Sequence, residues 1–228
     1  MTAPCHVCSN RATCGLLGLL GDARNNPQAR IQLDEYRADA LINVHPARLY
    51  VVRSGAVKAV WNAIGRAADT VIEFSLPGQL FGLEAQVDAQ GLDKHFRASV
   101  AMTCICSIGC NIKGRSRSSK ELCERFNAAL ASRIGSTYRH TRVIQSAARA
   151  RVAEYMTQVL QVAAVRGTCV PRSLPNVPRS DIASYLRLRT ETLSRVLSEF
   201  RKEGWIRGPI HRMEVLDPDA IAALREPP

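Results

Sequence analysis

Between residues 49 and 108, apolar and polar side chains alternate in short runs. Typical runs are 49–53, 56–61 and 70–74, and glycine or proline turns separate them at 54–55 and 77–78. Alternation over four to eight residues is typical of a strand with one side against a core. The pattern predicts an all-β roll or barrel in this part of the chain.

The periodicity changes after residue 118, where apolar side chains recur every three or four residues without an intervening proline. The repeating positions are Leu122, Phe126, Leu130, Ile134, Tyr138 and Thr141. They predict one long helix over 118–146 with a narrow apolar stripe. Because a helix of this length outruns a small domain, we expect its stripe to meet a second copy of the chain rather than its own core. Gly135 weakens this helix, since glycine costs about 1 kcal/mol relative to alanine.

The C-terminal part of the chain predicts a winged helix-turn-helix. A helix over 147–165 carries Val152, Met156, Val159 and Ala163 on one face, and prolines then mark an extended linker. A short helix over 180–186, a turn, a helix over 190–203 ended by Gly204 and two short strands within 205–216 follow. In this motif the start of the second helix enters the major groove of DNA.

The second helix of this motif carries a polar face suited to reading bases. Glu191, Ser194 and Arg195 share that face, with Thr190 and Thr192 beside it. Arginine can bind guanine, glutamate can accept from cytosine, and serine suits either neighbour. Leu193, Val196, Leu197 and Phe200 form the opposite, packing face. The alternative is that Glu191 and Arg195 form an ordinary surface ion pair.

Charge is distributed unevenly along the 228 residues. Residues 1–110 carry a net charge of +1, and residues 111–228 carry +10. A basic half favours a polyanion as partner. No apolar stretch is long enough to cross a membrane and no signal peptide is evident, so we expect a soluble, cytoplasmic protein.

Eight cysteines in a reducing compartment favour metal binding or redox sensing over disulfides. Three form the pattern Cys5-x2-Cys8-x5-Cys14, and Cys104, Cys106 and Cys110 follow downstream. Cys104 and Cys106 have the same strand parity, so both can face one side of a sheet. Four thiolates suit an iron–sulfur cluster or structural zinc, and a metal-free thiol sensor is a further alternative. Cys123 and Cys169 fit structural or incidental thiols. No nucleophile–base pair or nucleotide loop indicates an enzyme.

Several segments together resemble the CRP/FNR superfamily of bacterial transcription regulators. They are 49–55, 76–82, 181–186 and 190–197. The N-terminal cysteines resemble those of the oxygen-responsive FNR branch. The resemblance implies an α+β fold with an N-terminal double-stranded β-helix, a jelly roll like that of cyclic-nucleotide-binding domains, then a long dimerisation helix and a C-terminal winged helix-turn-helix. The corresponding regions are a cysteine arm (1–20), the roll (21–116), the dimerisation helix (117–146) and the DNA-binding domain (147–228).

The resemblance also implies a function. A [4Fe–4S] cluster held by Cys5, Cys8, Cys14 and Cys106 would favour a homodimer that binds palindromic TTGAT-type sites and then recruits or obstructs RNA polymerase. Matching 105–108 to the family's ligand strand favours Cys106, with Cys104 and then Cys110 as alternatives. The implied DNA contacts are Glu191, Ser194, Arg195, Thr190, Thr192 and Arg189.

Two features of the sequence differ from the patterns of related regulators. A cyclic-nucleotide receptor needs a glutamate and an arginine in a fixed register, and the segments around Glu84 and Arg97 are out of that register. Arg187 and Arg189 occupy the helix-turn-helix turn, where glycine and threonine are more usual. We therefore expect a backbone cost in this turn, together with contacts to DNA phosphates.

Overall fold

The computed structural model describes residues 8, 11, 14–20, 31–61, 70–86, 94–100, 103–109, 120–164, 176–209 and 213–225. The chain divides into two compact units, Met1–Gly135 and Ser136–Pro228. Within the described ranges, no helix combines the length and the apolar composition that a membrane crossing requires.

Two four-stranded antiparallel sheets form the β-roll of the first unit. Sheet one has the order β1-β8-β3-β6 and sheet two the order β2-β7-β4-β5. The strands are β1 (Ile31–Tyr36), β2 (Leu41–Ile42), β3 (Arg48–Ser54), β4 (Val57–Trp61), β5 (Thr70–Ser75), β6 (Leu80–Phe81), β7 (Lys94–Ala98) and β8 (Thr103–Gly109). The expected jelly roll is confirmed. Strands β1 and β2 were not predicted, and no side chain of β1 is fully buried, so its alternation is weak.

The two faces of sheet one contact different cores. The interior between the sheets contains Tyr50, Val52 and Ile105 from sheet one, packed against Val57 and Phe96 from sheet two. The outer face of sheet one is also apolar. It packs against a short helix, α1 (Gly15–Leu20), and against α2 (Lys120–Val143).

The predicted long helix is present as α2, but the first part of its apolar stripe packs on its own chain and not, as expected, on a second copy. Phe126 is buried against the outer face of sheet one, and Leu122 and Leu130 pack beside it. The first half of the stripe therefore packs on the roll of its own chain, because this packing buries the apolar outer face of sheet one. Further along the same stripe, Ile134 is 57% and Tyr138 is 74% exposed. Only this later part offers a surface for a second copy.

The second unit is the winged helix-turn-helix that the sequence predicts. Its elements are α3 (Ala148–Ala164), α4 (Arg179–Tyr185), α5 (Thr190–Lys202), β9 (Ile206–Arg207), β10 (Glu214–Val215) and α6 (Pro218–Ala223). Helix α5 ends at Gly204, which has a φ of +76°, as expected. Helix α6 was not predicted, although Asp217 caps it by accepting from the Ala220 amide at 2.9 Å.

Arg149 fixes helix α3 to helix α5. Its guanidinium donates to Glu199 Oε2 at 3.0 Å and to Glu203 Oε2 at 2.9 Å. The same group lies 5.2 Å from the ring centroid of Phe200 and 5.5 Å from that of Trp205. Paired hydrogen bonds and cation–π contact together hold a guanidinium in one orientation. The C-terminal half of α5 is thus anchored to α3.

Candidate functional site

Helix α5 separates its packing face from its polar face as the sequence predicts. Leu193, Val196, Leu197 and Phe200 are buried to 2% exposure or less. Glu191 and Arg195 are exposed, and Ser194 is half-buried between them. In the part of the chain that the structure describes, no ion pair joins Glu191 to Arg195. The alternative of an ordinary surface ion pair is therefore not supported, and both side chains are exposed.

The N-terminus of α5 carries further polar and basic groups. Arg189 is its N-cap residue in an extended conformation, and its side chain makes no capping hydrogen bond. Thr190 is exposed and Thr192 is half-buried. An uncapped helix start with an arginine beside it is a favourable environment for a phosphate.

Arg179 is a candidate that the sequence analysis missed. It begins helix α4, and its Nη1 lies 3.4 Å from Ser194 Oγ of α5. This contact places a guanidinium at the edge of the polar face of α5. In the sequence, Arg179 is visible only as a basic residue at the start of the first helix of the motif. Its proximity to the polar face of α5 follows from the packing of α4 on α5.

In the turn between α4 and α5, an arginine occupies a position where glycine is usual. Its backbone conformation is unfavourable, as expected. Arg187 has a φ of +54°, in the left-handed region. Its side chain is exposed. Only glycine adopts this conformation without a steric penalty.

Cys14 precedes helix α1, which is docked closely on the roll. The Gly15 amide donates to the Gly78 carbonyl at 2.7 Å. A Cβ at Gly15 would lie 2.9 Å from Leu80 Cγ, so this position has no room for a side chain. The Gly18 amide also donates to the Cys14 carbonyl at 2.9 Å. The backbone that carries Cys14 is therefore fixed against sheet one.

Strand β8 carries two buried thiols near this helix. Cys106 lies in the outer-face core with Leu16 and Leu19 of α1, and Cys14 packs against that core. Cys104 is two residues away in the same strand and is 7% exposed. Cys106 and Ile108 pack on the outer face, whereas Ile105 packs in the interior. The structure thus brings Cys14 to the face of β8 on which Cys106 lies.

The environments of Cys14 and Cys104 disfavour the thiolate form, since both thiols have a raised pKa. Burial raises the pKa of Cys14 above its ordinary value, and the nearby Cys8 raises it further. Burial also raises the pKa of Cys104, while the Arg53 guanidinium opposes this shift. Cys8 contributes to the raised pKa of Cys104 as well as to that of Cys14. A bound cation would offset the cost of ionising these groups.

Other cysteines have different positions. The Cys123 thiol, on α2, lies 3.8 Å from Asn127 Nδ2 of the same helix. The predicted ligand Cys5, the alternative ligand Cys110 and Cys169 lie outside the described residues. Among the residues that are described, no three His, Cys, Asp or Glu side chains are grouped so as to hold a metal ion. Thiols nevertheless match the donors that iron–sulfur clusters and zinc require.

The residues considered for a cyclic nucleotide contact other groups. Arg133 of α2 donates to Glu84 Oε1 at 2.8 Å and to Glu73 Oε2 at 2.7 Å. Arg97 donates to the Asp39 carbonyl at 2.9 Å. A phosphate–ribose site requires an arginine and a glutamate that face one ligand. Here they bind different protein groups, which disfavours that alternative.

Comparison with known proteins finds similarity in the helix-turn-helix and over most of the chain. A family profile described as a Crp-like helix-turn-helix domain matches residues 150–224. The chain is 27% identical over 158 residues to an anaerobic regulatory protein of Aggregatibacter actinomycetemcomitans, covering 68% of this chain and 60% of that protein. It is also 27% identical over 180 residues to the nitrogen fixation regulation protein FixK of Rhizobium meliloti, covering 78% of each chain.

Solved structures show the same fold. FixK2 from Bradyrhizobium japonicum superposes with a TM-score of 0.75 at 20% sequence identity, covering 87% of this chain and 98% of that one. A transcriptional regulator of the CRP family from Thermus thermophilus superposes with a TM-score of 0.62 at 20% identity, covering 84% and 95%. The likeness covers both the β-roll and the helix-turn-helix.

Proposed function

We propose that the chain is a member of the CRP/FNR superfamily of transcription regulators, to which its helix-turn-helix and its overall fold are similar, and that it is a redox-responsive regulator of anaerobic metabolism genes. It acts in the cytoplasm as a homodimer on TTGAT-type inverted repeats, where it recruits or obstructs RNA polymerase. Its cofactor is a [4Fe–4S] cluster held by Cys5, Cys8, Cys14 and Cys106. The name of the Aggregatibacter relative, an anaerobic regulatory protein, supports the physiological part of this proposal.

One observation carries the proposal. A single apolar core contains Cys106 of β8, Leu16 and Leu19 of α1 and Phe126 of α2, with Cys14 packed against it. Any change in the ligation of Cys14 or Cys106 therefore acts on side chains that also hold α2. Since packed cores are not continuously deformable, a shift at the thiols changes how α2 is seated.

The DNA-binding part of the proposal follows from α2 and α5. The exposed Ile134 and Tyr138 form an apolar stripe on α2 that fits the same stripe of a second copy. Pairing two copies presents two recognition helices to half-sites one DNA turn apart. Arg195 and Glu191 are exposed and suited to base edges, and Arg189 and Arg179 are suited to phosphates.

The chemistry of the thiols makes loading of the cluster depend on redox conditions and on pH. A cluster would supply a redox-sensitive link among four thiolates. Because burial raises the pKa of Cys14 and Cys104, loading releases protons and becomes more favourable as pH rises.

Anaerobic purification followed by iron and acid-labile sulfide assays tests the cofactor. A gel shift with an inverted TTGAT repeat, beside a scrambled duplex of the same length, tests the DNA site. We expect iron and sulfide in equal amounts and binding to the repeat that oxygen abolishes. Zinc without sulfide would contradict the cluster and favour a structural-zinc regulator. Salt-sensitive binding to both duplexes alike would contradict a specific regulator.

The fourth ligand is identified by two matched alanine variants. We expect Cys106→Ala to abolish iron and sulfide retention and Cys104→Ala to retain them. Cys123→Ala, at the half-buried thiol of α2 that was not assigned as a ligand, is the control. If only Cys104→Ala loses the cofactor, Cys104 is the ligand and the assignment of Cys106 is wrong.

Arg195 and Arg179 should differ in how they affect binding. Arg195→Ala should cost about 1–3 kcal/mol at one base pair and relax specificity there. Arg179→Ala should weaken binding to all sequences alike and reduce the salt dependence, because it removes a phosphate contact. Titrations against a set of single-base variants of the half-site distinguish these results. A uniform loss for Arg195→Ala would contradict base reading by this side chain.

A further inference from the structure

The last two turns of α2 belong to the same compact unit as the helix-turn-helix. The division between the units falls between Gly135 and Ser136, inside α2. Residues after that point therefore have their tertiary contacts within the DNA-binding unit. Two sets of contacts join the end of α2 and the connection after it to the helix-turn-helix, one through His140 and one through Arg151.

His140 joins α2 to α4 by aromatic stacking. Its ring lies 4.0 Å from the ring of Tyr185, with an angle of 13° between the planes. Tyr185 in turn meets Tyr155 of α3 edge to face, at 6.2 Å and 62°. Aromatic pairs of this kind favour particular orientations beyond simple burial. The three rings fix the end of α2 relative to α4 and α3.

Arg151 joins the end of the α2–α3 connection to the turn that precedes the recognition helix. Its Nε donates to the Ser146 carbonyl at 2.7 Å. Its Nη1 lies 3.2 Å from the carbonyls of both Leu186 and Arg187. A guanidinium can reach three carbonyls because its donors have a fixed planar geometry, which a lysine amine lacks. This arginine therefore spans from the α2 side to the turn in which Arg187 has its left-handed backbone.

We propose that His140 and Arg151 are positioning residues for DNA binding. They hold the recognition helix α5 at a fixed direction from the end of α2, so that the segment carrying Tyr138 and the helix-turn-helix move as one body. Neither side chain lies on the polar face of α5, so neither is expected to read a base. The inference rests on the proposed function in one respect, namely that two paired copies read an inverted repeat.

The consequence concerns the spacing between half-sites. In a dimer paired along α2, the distance between recognition helices depends on the direction in which each leaves α2. If the orientation of α5 relative to α2 becomes variable, the dimer can also bind repeats with altered spacers. Each α5 still discriminates between bases. The expected signature is loss of spacing selectivity with retention of base selectivity.

The test uses the full chain, prepared anaerobically, with His140→Ala and Arg151→Met. His140→Phe is the rescue variant, because phenylalanine keeps a stacking ring. Affinities are measured by fluorescence anisotropy for inverted repeats with the natural spacer, with spacers changed by a base pair or two, and for single half-sites with one altered base. We expect the preference for the natural spacer to fall roughly tenfold in His140→Ala and Arg151→Met, within the range of ordinary coupling energies, and to return in His140→Phe.

Hydrogen exchange supplies a readout that does not depend on DNA. Amides of residues 140–146 should exchange faster in the two disruptive variants than in the wild type or His140→Phe. Unchanged spacing selectivity and exchange would overturn the inference. Loss of base selectivity together with spacing selectivity would also overturn it, because that pattern indicates a damaged helix-turn-helix. If the wild type itself shows no preference for inverted repeats, the proposed function fails, and the exchange data alone decide whether these contacts fix α2.

Discussion

Arg187 shows how one side chain can be maintained in an unfavourable backbone conformation. Its amide donates to the Ser184 carbonyl at 3.2 Å, and the Leu188 amide donates to the Ala183 carbonyl at 2.9 Å. This is the Schellman pattern, in which glycine usually occupies the left-handed position. The end of α5 uses the same pair of bonds with Gly204 at that position. The two helix ends share this pair of hydrogen bonds and differ in the residue that takes the left-handed conformation.

These two ends provide a matched prediction. Arg187→Gly should raise the free energy of unfolding of the second unit by about 1 kcal/mol, because it relieves the left-handed penalty. Gly204→Arg should lower it by about 1–2 kcal/mol for the converse reason. Urea denaturation followed by Trp205 fluorescence, in a Trp61→Phe background, measures both. A loss of stability in Arg187→Gly would show that the arginine side chain contributes more than its backbone costs.

Helix α2 combines two kinds of apolar surface in one element. Phe126 is 7% exposed against the roll, whereas Tyr138 is 74% exposed. Phe126→Ala should destabilise the first unit by about 3–5 kcal/mol, through lost burial and a cavity. Tyr138→Ala should change folding by less than about 0.5 kcal/mol but weaken self-association. Denaturation and sedimentation velocity separate these effects. Equal loss of stability in both variants would contradict the division of the stripe.

His140 makes the stability of the DNA-binding unit depend on pH. Burial, followed by the nearby Arg187 charge, lowers its pKa from 6.5 to about 4. Between these values the unfolded chain binds a proton that the folded chain does not, so stability is lost as pH falls from about 6.5 towards 4. His140→Phe should remove this part of the slope while keeping the stack with Tyr185. Denaturation midpoints measured across that range, with Tyr185→Phe as a control that retains His140, test the assignment.

The elements differ in how far the sequence predicts them. Helix α5 was predicted closely because its buried and exposed faces follow the helical repeat, and its C-terminal glycine is a local signal. Strand β1 was missed because it is only half buried. The proximity of Cys14 to Cys106 depends on packing between segments far apart in the chain, and only the resemblance suggested it. The contacts of His140 and Arg151 have no local signature, since a lone histidine or arginine on a helix has many uses.

Across the whole molecule, charge is distributed unequally, and the basic half differs from the thiol-bearing half in what it contributes to binding. The excess of +10 lies in residues 111–228, which include the helix-turn-helix, and the near-neutral remainder carries the described thiols Cys8, Cys14, Cys104 and Cys106. The basic half therefore provides the attraction to DNA, and this attraction weakens with salt. The thiols can alter binding only by changing the free energy of the binding-competent state.

That linkage is reciprocal and gives the last prediction. If loading the thiol site with iron and sulfide raises affinity for the inverted repeat by some factor, the repeat must raise iron retention by the same factor, typically 5–150-fold. Anaerobic chelator competition, with the specific duplex and with a scrambled duplex, measures the second factor, and DNA titration of loaded and stripped protein measures the first. Arg195→Ala should lessen the protection by the specific duplex without altering retention in its absence. Unequal factors in the two experiments would mean that the thiol site and the recognition helix are not coupled through one equilibrium.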